Sequence, residues 1–70
     1  MVNRNSEAYK EEEKMYTEQL SKYKTLEEKI DYLERCDWQI QMIDHWTDRD
    51  WICNDIVHKF LKELKGVDKE

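Results

Sequence analysis

The chain has 70 residues, of which 41% are charged, with one glycine, no proline and a net charge of −5. So short a chain buries only about 60% of its unfolded surface, which limits it to one small domain. The scarcity of turn residues excludes a β-rich fold, the three Trp and four Tyr exclude a disordered chain, and the negative balance excludes a general nucleic-acid binder, which needs basic side chains against phosphate.

What remains is an all-α protein: a small three-helix bundle, or a helical hairpin with an N-terminal helix, alone or as a homodimer. No apolar run approaches the roughly 18 residues of a membrane span. The opening "MVNRNSEAYKEEEK" lacks the apolar stretch of a secretory signal, so a cytoplasmic protein with reduced thiols is expected.

The first helix is predicted over 7–23. Ser6 can cap it, and Glu7 with Glu11, Glu12 and Glu13 suits its positive end. Its apolar stripe is narrow, consisting of Tyr9, Tyr16, Leu20 and Tyr23. Glu12 and Gln19 hold the complementary seam positions, so this helix needs a surface to lie on.

The second helix is predicted over 26–46. Thr25 and Glu28 have capping-box spacing. Leu26, Ile30, Leu33, Ile40 and Ile43 fall on one face. Nothing between Ser21 and Thr25 forces a break, so a single helix over 6–46, about 60 Å long, is the alternative.

The third helix is predicted over 48–65. Thr47 and Asp50 again have capping-box spacing, and Asp48 favours the same end. Lys62 and Lys65 suit the negative end, Gly66 suits the residue beyond it, and Val67 could close the hydrophobic contact of a Schellman motif. The short link should make the second and third helices antiparallel neighbours.

At about 100° per residue, Ile52, Cys53, Ile56, Val57, Phe60, Leu61 and Leu64 share one broad side of the third helix. Trp51 falls on the other side with Asp55, His58 and Lys62. On the second helix, Trp38, Met42 and Trp46 recur every four residues and form a ridge away from the core face. Either the first helix covers this ridge, so that its tyrosines meet the tryptophans, or the ridge is an interface. Trp51 either joins that interface or folds back onto Trp46.

Reactive groups are few. Cys36, His45, Cys53 and His58 are the right types for zinc, but Cys36 and His45 lie about 13 Å apart along one helix. A Cys36–Cys53 disulfide is disfavoured, because the expected register sets the two on different levels. Pairs of Cys36 with His58, or Cys53 with His45, lack a third group to orient the base. One glycine excludes the phosphate-binding and nucleophile-elbow motifs. Asp44, Asp48 and Asp50 lack the glycine of a calcium loop. Glu28, Asp31 and Glu34 share a helical side but face no second acidic pair, so they read as solvated surface. No enzyme, cofactor or metal is therefore expected.

The expected function is that of an acidic interaction module that binds and inhibits a partner protein, of the kind encoded by mobile elements or phage. Its contact would be Trp38, Met42, Trp46 and Trp51, rimmed by Asp44, Asp48, Asp50 and Asp55. Aromatic anchors would supply the desolvated centre, and the acids would steer a basic or nucleic-acid-binding surface of the partner. The alternative is a homodimeric assembly module that pairs through the same ridge.

Overall fold

Three capped starts and three distinct endings divide the chain. The computed structural model describes residues 2–66, with α1 over Glu7–Leu20, α2 over Leu26–Gln41 and α3 over Asp48–Lys65. Among the described residues there is no strand, and no helix is long and apolar enough to cross a membrane. The break between Ser21 and Thr25 rules out the single helix over 6–46.

Ser6 is extended, and its Oγ accepts the Tyr9 N–H, satisfying one of the orphan donors of α1. α1 ends three residues before the predicted Tyr23. The Ser21 hydroxyl donates to the Glu18 carbonyl at 2.7 Å, and the N–H groups of Lys22 and Tyr23 tighten onto Gln19 and Leu20. Tyr23 then turns its ring onto Tyr32 of α2, with centroids 5.4 Å apart.

Thr25 caps α2 by accepting the Glu28 N–H. The return bond of the expected box is displaced by one residue, because Glu28 Oε1 accepts the N–H of Lys24 rather than that of Thr25. α2 stops at Gln41, five residues short of the predicted Trp46. The cause lies in Trp46 itself. Its indole N–H donates to the Ile40 carbonyl at 3.0 Å, an acceptor that the Asp44 N–H would take in a continuing helix. The Ile43 N–H closes on the same carbonyl, and the chain reverses.

At α3 both halves of the capping box form: Thr47 Oγ1 accepts the Asp50 N–H, and the Asp50 carboxylate accepts the Thr47 N–H at 3.0 Å. Gly66 ends the helix in the left-handed region at φ 66°, and its N–H reaches the Lys62 carbonyl. The expected Val67 contact lies outside the described residues.

Pairings across the bundle give its sense. Gln41 meets Asn54, Asp37 meets His58 and Glu34 meets Lys65, so α2 and α3 are antiparallel. Tyr9 meets Asp55 and Glu13 meets Lys59, whereas Glu12 meets Arg49, so α1 lies across α3 with its two sides against different turns of that helix. Leu33 and Ile40 of α2 and Val57 of α3 form the buried centre, with Tyr16, Leu20, Tyr32, Phe60 and Leu64 packed around them.

The first helix does not cover the tryptophan ridge. It lies chiefly on α3, which is the shared wall of the bundle. Tyr9 and Ile56 are both fully buried there. Complete burial of one such side chain is worth about 2 kcal/mol. A buried tyrosine hydroxyl needs a hydrogen-bond partner, and α3 offers it in Asp55.

Candidate protein-interaction surface

The structure divides the predicted ridge. Trp38 and Met42 remain on the outer side of α2, 65% and 63% exposed. Trp46 leaves the helix, turns inward and packs against the core. Trp51 folds over it edge to face while keeping half of its own surface exposed. Ile43, Asp44, His45, Trp46 and Trp51 line a shallow groove of about 440 Å³ at the corner between α2 and α3. Ile43, expected on the core face, is itself exposed because α2 ends before it.

The four predicted rim acids also separate. Asp44 and Asp48 are exposed near the tryptophans. Asp50 is bound to Thr47 as the N-terminal cap. Asp55 points toward α1 instead of rimming the patch. It takes two guanidinium bonds from Arg4, at 2.9 and 3.1 Å, and the Tyr9 hydroxyl at 2.7 Å. The Arg4 hydrogen bond holds the Asp55 carboxyl below its ordinary range. Burial, reinforced by the bond to Asp55, pushes the Tyr9 phenol up to about 12.

The sequence reading missed this cluster. Arg4 precedes the first helix and carries no periodic signal, so only the packing of α1 on α3 brings it to Asp55. It also missed Met15, which is 52% exposed beside the α1–α3 seam.

The reactive groups lie apart. His58 Nε2 is 2.7 Å from Asp37 Oδ1, whereas Cys36 turns toward the core and the Tyr32 hydroxyl. His45 is exposed in the turn, and Cys53 lies against Glu12 and Tyr16. Neither proposed Cys–His pair is assembled. Both cysteines are free, and burial pushes both thiols up, which disfavours the thiolate. Among the described residues, no three His, Cys, Asp or Glu side chains gather closely enough to hold a metal ion. Asp31 pairs with Arg35 and Glu34 with Lys65 at the surface.

The fold and surface define a small three-helix bundle with exposed aromatic and thioether side chains. In comparisons with known proteins, no family model, curated protein or solved structure matches the chain.

Proposed function

We propose that the chain is a small acidic interaction module that binds a partner protein and inhibits it. The reading rests on one observation: Trp38 of α2 and Met42 at its C-cap, one turn apart, are each nearly two-thirds exposed. Aromatic and methionine side chains are enriched at the centres of interfaces, where each can supply a large share of the binding energy. Trp51 and the groove over Trp46 extend the apolar area, and Asp44 and Asp48 give it a negative margin. Such a surface suits a basic partner with an apolar recess, including the nucleic-acid groove of another protein, where the aspartates would stand in for phosphates. The size and charge agree with inhibitors encoded by mobile elements or phage.

The test is affinity capture from the host with the wild type and with a Trp38→Ala/Met42→Ala double variant. The captured protein is then assayed for its own activity with and without the module. The reading expects a basic protein retained by the wild type, lost with the double variant, and inhibited in the assay. Equal capture by a folded double variant, or a bound partner with unchanged activity, overturns it. A tight dimer in sedimentation that the double variant abolishes would favour a homodimeric assembly module.

A further inference from the structure

A second surface, without Trp38 or Met42, runs along the seam of α1 and α3. Ala8, Glu12, Met15 and Gln19 follow one another at helical spacing and form one stripe of α1. Three depressions lie beside this stripe. The first joins Ala8 to Trp51 and Ile52, the second joins Ala8 and Met15 to Asp48 and Ile52, and the third joins Met15 to Arg49 and Tyr32. Each shares residues with the next, so the three adjoin in one row, a groove along this side of α1 that the Glu12–Arg49 pair crosses. From Ala8 to Gln19 the rise is about 16 Å, the length of three helical turns.

The groove has apolar points in Ala8, Met15 and Ile52, polar ones in Glu12 and Gln19, and an acidic edge. Met15, half exposed, is unbranched and can adapt to a facing side chain. Glu11 and Asp48 stand exposed at its sides. Among the described residues the one lining cation, Arg49, is already held by Glu12, with Nε 2.7 Å from Oε2. Its walls are helices, so no sheet edge is offered to an added strand, whereas a helix brings its own backbone bonds satisfied.

We propose that this groove seats one amphipathic helix of a partner protein, apolar toward Met15 and Ile52 and carrying Lys or Arg on its flanks. A second copy of this chain is the poorer occupant, because two molecules of net charge −5 repel each other across an acidic edge. The groove shares Trp51 and Asp48 with the margin of the Trp38–Met42 surface but neither of that surface's two central side chains, so variants at positions 15 and 38 separate the two.

The probe is a fluorescent 14-residue peptide with leucines at helical spacing and Lys and Arg flanks, titrated with the full chain by anisotropy. A control peptide carries Glu at the flanks. Saturable binding of the basic peptide is expected, weakened at least tenfold by Met15→Ala and several-fold by Glu11→Lys, with Trp38→Ala unchanged and the Glu-flanked peptide unbound. No saturable binding, equal affinity for both peptides, or indifference to Met15→Ala overturns the proposal. So does a dimer of the chain that Met15→Ala dissociates, because the groove would then belong to a second copy.

Discussion

Trp51 meets Trp46 edge to face, with ring centroids 4.5 Å apart and planes at 76°. Trp46 in turn donates its indole N–H to the Ile40 carbonyl at 3.0 Å. The two rings therefore connect the end of α2 to the start of α3, and they have different jobs. Trp46 terminates a helix and covers the core. Trp51 shields it and still presents half of its surface.

Substitution should separate these jobs. Trp46→Ala removes the helix terminator and part of the core cover, and should cost about 2–3 kcal/mol, below the fully buried limit because Trp46 is only half-buried. Trp51→Ala should cost about 1 kcal/mol, the scale of one aromatic pair. Trp38→Ala, at an exposed site, should stay within about 0.5 kcal/mol. Urea unfolding followed by circular dichroism measures all three. Equal losses at positions 38 and 46 would contradict the division drawn between them.

The Asp55 cluster predicts acid sensitivity. Its folded pKa lies below the unfolded value of about 3.9, so its contribution is present above that pH and is lost as the pH falls through the folded value. Asp55→Asn should lower stability at neutral pH and flatten this part of the acid limb. Unfolding midpoints between about pH 2 and 6 give the comparison with wild type.

The phenols predict the opposite limb. Tyr9 and Tyr32 are pushed up to about 12, chiefly by burial, from an unfolded value near 10. Their contribution is complete below about pH 10 and is lost as the pH rises toward about 12. Tyr9→Phe should make the alkaline decline shallower, and should weaken the fold at neutral pH by leaving Asp55 one donor short. Tyrosinate absorbance recorded beside the unfolding signal shows whether the two change together.

Two helix ends predict modest, separable losses. Thr47→Ala breaks the capping box of α3 and should cost about 1 kcal/mol. Gly66→Ala should cost about 1 kcal/mol through its positive φ alone, because an added Cβ meets nothing within 4 Å. Gly66→Asn should cost less, since asparagine tolerates that region better. Thermal denaturation of the single and double variants should show additive effects, because the sites lie at opposite ends of the helix.

The sequence by itself determined the local events. Ser6, Thr25 and Thr47 could be named as caps, and Gly66 as a helix end, because each acts through bonds to its own near neighbours. The apolar side of the third helix was readable for a similar reason: periodicity is a property of one helix. Only the tertiary structure decided which helices share a wall. Tyr9 could have met tryptophans, but it meets α3, where Asp55 accepts its hydroxyl and the Lys59 ammonium lies over its ring. It also decided where α2 stops, since Trp46 ends that helix by reaching back six residues for a carbonyl that propensity alone would assign to Asp44. The four aromatic and thioether residues of the expected partner contact were visible in sequence. Their division into exposed Trp38 and Met42, inward Trp46 and half-covered Trp51 follows from that one reversal of the chain.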